Sequence, residues 1–340
     1  MATRTAVVAF ALAASATLSA QRGAQPPPAT NPAGRGAVPM QAAQIPAASG
    51  QLRVTKVRPN IYMIAAGGSN ITVMPFELGA VVVDTGSTAM ADRVLEKIAE
   101  LSPKPIANII NTSATADHVG GNEKLHNAGR RLPFEIVAGE GPMVIAHENV
   151  LTRMSAPTGQ VAATPEKAWP NETYHVDYKK LAAEYRGGEQ IELIYMPAAH
   201  SDGDSIVWFR HADVIATGDI FIESSYPIIE VGNGGTINGV IDALNKILDL
   251  AFADFRSEGG TIIVPGHGRL CDMADVGYYR DMLTIVRDLV QDMIKKGMTL
   301  EQVKAAKPTF AWDGRYGSTS GPWTTDMFVE AVYKTLSAKK

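Results

Sequence analysis

Residues 111–122 read NTSATADHVGGN, and this stretch indicates the fold of the 340-residue chain more clearly than any other. It follows the apolar run 106–110, which predicts a buried strand, and a helix is predicted to continue through Leu125. Between them stand an adjacent carboxylate and imidazole, Asp117 and His118. In layered α/β folds, loops that follow strands are where functional side chains collect.

Three further motifs repeat this arrangement, with polar residues directly after an apolar, strand-like run. Residues 196–204 read MPAAHSDGD and contain His200, residues 216–219 read ATGD and end at Asp219, and residues 264–268 read VPGHG around His267. A single motif of this kind is usually structural, but loops at one end of neighbouring strands converge on one crevice. Imidazoles and carboxylates gathered there are typical ligands of zinc, iron or manganese.

The rest of the chain alternates between strand-like and helix-like segments, which favours sheets covered by helices. Strands are predicted at 61–65, 71–75, 80–83, 136–138, 191–196, 205–209, 214–217 and 261–264. Helices are predicted at 90–101, 142–153, 237–255, 277–296 and 324–336 from the spacing of their apolar residues. The polar segment 155–188 is either a surface excursion over a cleft or a long connection.

The N-terminus has the composition of an export signal. Arg4 precedes an uncharged stretch of small and apolar residues, 6–20, which is too short to span a bilayer comfortably. Residues 1–20 are therefore predicted to be a signal peptide. Residues 21–50 are rich in Pro, Ala and Gly and are predicted to be a disordered linker. Residues 51–340 then form the folded domain, with a C-terminal helical extension. We expect a periplasmic or secreted protein that is not stably inserted in the membrane after cleavage.

Charge and cysteine content exclude several other classes. The formal net charge is −4 and the basic residues are scattered, so we expect no nucleic-acid partner. The expected partner is a small-molecule substrate. The single cysteine, Cys271, permits no internal disulfide. The oligomeric state is left open.

Taken together and in this order, the four motifs resemble those of the metallo-β-lactamase-fold superfamily. Those hydrolases carry His-x-His-x-Asp-His after a strand, followed by single His, Asp and His ligands, and residues 81–86, VVVDTG, are similar to the family's early Asp-containing turn. The resemblance covers residues 52–269. It implies an α/β (α+β) fold, the four-layer αβ/βα sandwich, with the site along one edge of its two sheets.

The chain departs from the family pattern at the first metal. Ser113 and Thr115 stand where the family has its first two histidines, and of that metal's three ligands only His200 remains. Hydroxyl groups are poor zinc ligands compared with imidazole. The first metal site is therefore degenerate, with His200 as a further candidate ligand.

The ligands that the resemblance assigns to the second metal all match. They are Asp117, His118 and His267, with Asp219 at the position that bridges two metals in the family. Two imidazoles and two carboxylates suit one Zn²⁺ per chain, with Fe²⁺ or Mn²⁺ as alternatives.

The same residues suggest roles in a hydrolytic reaction. Asp117 or Asp219 would accept a proton from the attacking water, and His200 would act as acid, base or hydrogen-bond donor. Asp84 is expected to hold a ligand imidazole in its required tautomer, with Ser113 and Thr115 beside the ligands.

The resemblance implies a metal-dependent hydrolase of an ester, lactone, amide or lactam, or phosphodiester, and the fold alone does not choose among them. The alternative is a catalytically inactive, exported metal- or ligand-binding protein on the same fold. Two further hypotheses are purely structural motifs without a metal and a redox role for iron at the single site.

Overall fold

Two β-sheets form the centre of the computed structural model, which describes residues 51–135, 140–155, 164–252 and 259–338. The first sheet contains, in spatial order, β1 (Leu52–Arg58), β2 (Ile61–Ala66), β3 (Ser69–Phe76), β4 (Gly79–Val83), β5 (Ile106–Ile110), β6 (Met143–His147) and β7 (Glu172–Tyr174). Strands β1 to β4 pair antiparallel, and β4 to β7 pair parallel.

The second sheet has the order β12-β11-β10-β9-β8. Its strands are β8 (Tyr178–Leu181), β9 (Ile191–Tyr195), β10 (Ser205–Phe209), β11 (Val214–Ala216) and β12 (Ile262–Val264). Strands β8 to β11 pair antiparallel, whereas β11 and β12 run parallel. The helices are α1 (Ala91–Leu101), α2 (Ala116–Val119), α3 (Asn122–Ala128), α4 (Glu148–Ser155), α5 (Ile237–Leu250), α6 (Met273–Lys295), α7 (Leu300–Ala306), α8 (Asp313–Tyr316) and α9 (Thr325–Ser337).

Alternation along the strands explains how the layers pack. Val81 and Val83 of β4 point toward the second sheet, where they join an apolar cluster with Phe209 of β10. Val82, between them, faces the other way and packs with Val94 of α1. Because both faces of β4 are covered, its sequence is continuously apolar rather than alternating.

Helices cover the outer face of the second sheet as well. Ile215 of β11 packs with residues of α5, α6 and α9, such as Leu244, Leu283 and Phe328. The described chain therefore has the order helices, sheet, sheet, helices. This confirms the four-layer αβ/βα sandwich of the metallo-β-lactamase fold.

One predicted helix is wrong in its first half. Residues 142–153 contain β6, Met143–His147, and only then the helix α4. The five residues of β6 are all buried between β5 and the edge strand β7. A short apolar run of this kind does not show by its periodicity whether it is a buried strand or a helix.

Smaller differences concern the ends of elements. Helix α5 ends at Leu250, and α6 begins at Met273, where Asp272 and Asp275 form a capping box. The segment 155–188 is more than a connection, because it supplies β7 and β8, a strand of each sheet. The predicted strand at 136–138, the signal peptide and the linker lie outside the described residues.

The topology brings the motifs of the sequence to one edge. Asp84 follows β4, Asp117 and His118 begin the helix after β5, Asp219 follows β11 and His267 follows β12. Within the described ranges, no helix combines the length and apolar character needed to cross a membrane.

Candidate metal centre

Four side chains meet where the edges of the two sheets adjoin. Asp117, His118, Asp219 and His267 each offer one ligand atom, and these four atoms lie within 4.8 Å of one another. The structure thus brings together all four residues to which the sequence assigned a metal.

His118 is buried, and both of its ring nitrogens face carboxylates. Nε2 lies 3.0 Å from Asp219 Oδ1, and Nδ1 lies 2.7 Å from Asp84 Oδ2. Asp84 has a φ of 61° and also accepts hydrogen bonds from the backbone N–H and the hydroxyl of Thr112, at 2.8 and 2.7 Å. The Asp84 carboxylate therefore fixes the imidazole so that Nε2 is directed at the cluster.

The backbone before Asp219 requires a glycine. Gly218 has a φ of 52°, and a Cβ added there would lie 2.3 Å from the Thr112 Oγ1 atom. The tight contact between the β11 and β5 loops places Asp219 in the interior, where its side chain is 1% exposed.

His267 and Asp117 form the accessible side of the cluster. His267 Nε2 lies 3.2 Å from both Asp117 Oδ2 and Asp219 Oδ1. The side chains of His267 and Asp117 are 21% and 37% exposed, so a ligand reaches the cluster from this side.

Charge pairing dominates the electrostatics of the cluster. Burial opposes a charged ring at His118, yet the Asp219 and Asp84 carboxylates raise its pKa well above the usual value. Burial likewise opposes the charged form of His267, but Asp117 and Asp219 raise its pKa to about 9. For Asp219, burial acts to raise the pKa, and His118 and His267 nevertheless hold it well below the usual value. Burial also acts to raise the pKa of Asp117, but His267 and His118 together lower it.

These residues fit a divalent metal. Two imidazole nitrogens and two carboxylate oxygens are a common ligand set, and four ligands about 2.0–2.2 Å from a tetrahedral zinc are about 3.3–3.6 Å apart. Three of the ligand-atom pairs here are 3.0–3.2 Å apart, slightly closer than that spacing, and all four atoms lie within 4.8 Å of one another. The Nδ1–H of His118 bonded to a carboxylate is the usual support of a metal-binding histidine.

His200 lies beside the cluster. It is 1% exposed, its Nδ1 is 3.0 Å from Asp204 Oδ1, and its Nε2 is 3.9 Å from Asp219 Oδ2. Nε2 is buried and has no hydrogen-bond partner. Burial opposes a charged ring, but Asp204, Asp219 and Glu230 raise the pKa of His200 to about 9.

Ser113 and Thr115 are bonded to each other in the loop between β5 and α2. Their hydroxyl oxygens lie 3.0 Å apart, and Ser113 Oγ also accepts from the backbone N–H of Thr115 at 3.3 Å. At the positions where the family has two imidazoles, this chain has two hydroxyl groups that are hydrogen-bonded to each other.

Sequence reasoning missed Glu230 and residues 69–70. Glu230 Oε1 lies 3.9 Å from His200 Nε2, and the Glu230 backbone N–H donates to the His200 carbonyl at 2.9 Å. Ser69 Oγ donates to the Asp117 carbonyl at 2.7 Å. Glu230, Ser69 and Asn70 do not lie next to a ligand motif in the sequence, so only the tertiary structure reveals their contacts.

Comparison with known proteins gives one family and several solved structures. Residues 64–267, more than half of the chain, match the model of the metallo-beta-lactamase superfamily. The sec-alkylsulfatase Pisa1 from Pseudomonas sp. is similar with a TM-score of 0.59 and 16% identity over 83% of this chain. That likeness spans only 50% of the alkylsulfatase's own length.

Two metallo-beta-lactamases are also similar. The enzyme from Pontibacter korlensis has a TM-score of 0.53 and 18% identity, covering 69% of this chain and 99% of its own. The DIM-1 enzyme has a TM-score of 0.51 and 18% identity, and the likeness covers 69% of this chain and 97% of the DIM-1 chain. At these identities the structures show the shared fold, and a search of curated proteins gave no match. On the family match and the fold together, the chain belongs to the metallo-beta-lactamase superfamily.

Proposed function

We propose that the chain is a metal-dependent hydrolase with one divalent metal at Asp117, His118, Asp219 and His267. Zinc is the favoured metal, with iron or manganese as alternatives. The observation that supports this most strongly is the gathering of four ligand atoms within 4.8 Å at the edge of the two sheets. The substrate is a small molecule with an ester, lactone, amide or lactam, or phosphodiester bond.

A divalent metal bound here would polarise the substrate's carbonyl or phosphoryl oxygen and lower the pKa of water toward neutrality. The protein's own part begins with access. Asp117 and His267 are the partly exposed members of the cluster, so the substrate approaches beside them. His118 and Asp219 are buried and fix the inner side.

Proton transfer is assigned to the carboxylates and to His200. Asp117 is partly exposed and can accept a proton from the attacking water and pass it to solvent. Asp219 is buried, and its Oδ1 atom already faces both His118 and His267, which leaves Oδ2 as its free acceptor. His200 Nε2 lies 3.9 Å from that atom, where it can donate a proton to the leaving group or a hydrogen bond to the substrate.

This function can be tested by measuring turnover of a panel of model substrates by the metal-loaded chain. The panel contains a nitrophenyl ester, a γ-lactone, a chromogenic cephalosporin and bis(p-nitrophenyl) phosphate, and a secondary alkyl sulfate is added because of the structural likeness to Pisa1. Turnover of one class should fall at least about 10²-fold in Asp117→Ala and in His267→Ala, since each removes a ligand. The matched control is His175→Ala, because His175 is exposed. Equal loss in the control, or turnover that persists in both ligand variants, would contradict the proposal.

A second candidate function is an inactive metal- or ligand-binding protein. The hydrogen-bonded hydroxyls of Ser113 and Thr115 favour this candidate, because they replace the two imidazoles that hold the family's first metal. This candidate predicts one bound metal and no turnover on any member of the panel.

We also propose that the protein is exported, with residues 1–20 as the signal peptide. The apolar stretch after Arg4 supports this. Intact mass measurement of the protein recovered from the periplasm or the medium should give a chain that lacks about 20 N-terminal residues.

A further inference from the structure

Residue 70 binds the loop that carries His267 at three points. The backbone N–H of Asn70 donates to the Gly266 carbonyl at 2.8 Å. Its side-chain Nδ2 donates to the carbonyls of Pro265 and Gly268, at 2.9 and 3.0 Å. Three backbone carbonyls around His267 are therefore held by one residue from the other sheet.

We propose that Asn70 is a positioning residue for the metal ligand His267. This inference rests on the proposed metal site, since it concerns how well that site holds an ion. Asn70 is 5% exposed, and its amide supplies the two N–H groups that a pair of carbonyls on opposite sides of His267 requires. An aspartate at this position has the same shape but no side-chain N–H donor, and its negative charge would face the carbonyl oxygens of Pro265 and Gly268.

The loop is held from both sheets. The Glu223 backbone N–H donates to the His267 carbonyl at 3.1 Å, while His267 stands between two glycines, which by themselves restrict the backbone little. The loop follows β12 in the second sheet, whereas Asn70 belongs to β3 in the first. The bonds of Asn70 thus join the two sheets at the site and fix the side of the cluster that solvent reaches.

The neighbouring residue makes a parallel contact. Ser69 pairs with His267 in an isolated β-bridge, and its hydroxyl donates to the Asp117 carbonyl at 2.7 Å. The start of β3 therefore contacts the backbones of both partly exposed ligands.

The test measures zinc affinity in the full-length chain, by competition with a chromogenic chelator. Asn70→Asp and Asn70→Ala should each weaken zinc binding about 10- to 100-fold, the usual effect of losing a residue that orients a ligand. The matched control is Asn108→Ala. Asn108 is also buried, in β5 of the same sheet, where its side chain bonds Glu135 and Arg186 instead. It should lower the melting temperature and leave the zinc affinity within about twofold.

A double-mutant cycle shows whether Asn70 acts through His267. In a His267→Ala background, Asn70→Ala should cause less than about threefold further loss of zinc affinity. If one Asn70 variant does not fold, the other completes the cycle.

Affinity unchanged in the Asn70 variants, or full additivity with His267→Ala, would overturn the inference and leave the proposed function intact. A wild-type chain without zinc affinity would refute the proposed metal site, and the inference with it.

Discussion

His118 Nδ1 lies 2.7 Å from Asp84 Oδ2, while the opposite ring nitrogen faces Asp219 at 3.0 Å. The imidazole is thus held between a supporting carboxylate from the first sheet and a ligand carboxylate from the second. This relationship makes the cluster a preorganised site, and it leads to the first prediction.

Replacing Asp84 by Asn should weaken metal binding. The amide keeps the shape of the carboxylate but loses the charge that orients His118 and satisfies its Nδ1–H. We expect about a 10- to 100-fold loss in zinc affinity, together with about 1–3 kcal/mol of stability, because Asp84 is buried and fully bonded. Isothermal titration with zinc and urea unfolding measure the two effects. An affinity equal to that of Asp92→Asn, a substitution at an exposed carboxylate, would contradict the role of Asp84.

Stability of the metal-free protein should fall at alkaline pH. The pKa of His267 and that of His200 are each raised to about 9 in the folded chain, against 6.5 for the ordinary side chain. Because the pKa is higher in the folded than in the unfolded chain, the charged rings stabilise the fold fully below about pH 6.5. This contribution is lost as the pH rises through about 9. Urea unfolding in the presence of a chelator, between pH 6 and pH 10, should show this decline. His267→Ala should make the decline smaller, and an identical pH profile in that variant would contradict the assignment.

Restoring the two absent histidines should create the first metal site. His200 Nε2 is buried without a partner, and Ser113 and Thr115 stand at the positions of the missing ligands. The double change Ser113→His with Thr115→His should raise zinc content from one toward two ions per chain. Adding His200→Ala to that variant should return the content to one. Occupancy that stays at one without the His200 change would show that the first site is placed wrongly.

Gly218→Ala should damage both the fold and the site. An alanine Cβ would lie 2.3 Å from Thr112 Oγ1, and residue 218 has a left-handed φ of 52°. Together these effects should cost about 2–5 kcal/mol of unfolding free energy and displace Asp219. Gly232→Ala is the matched control, because a Cβ there meets nothing within 4 Å. Comparable destabilisation in the control, or unchanged zinc content in Gly218→Ala, would contradict this account.

Most of the fold was predictable because its elements have strong local patterns. Strands such as β5 and β10 coincide with their predicted bounds, and long amphipathic helices such as α5 and α6 were found with errors of a few residues at their ends. Strand β6 was missed because a buried strand of five residues has no distinctive periodicity. The signal at Asp272 and Asp275, a capping box, marks the start of α6 four residues before the predicted one.

The ligand set was predictable for a different reason. Each ligand lies in the segment that follows a strand, so the topology brings Asp117, His118, Asp219 and His267 to one edge. Contacts between segments that are distant in the sequence left no such pattern. Glu230 and Asn70 act on residues 30 and almost 200 positions away in sequence, and nothing in their local sequence shows which loop they will meet.

The central claim is a single metal at these four ligands, and metal content per chain tests it most directly. The protein is purified without chelator or added zinc, and its zinc, iron and manganese are determined by elemental analysis. Our account predicts a value near one in the wild type and a clearly lower value in His267→Ala, which keeps three of the four ligands. A wild-type value near zero, even after incubation with each of the three metals, would contradict it.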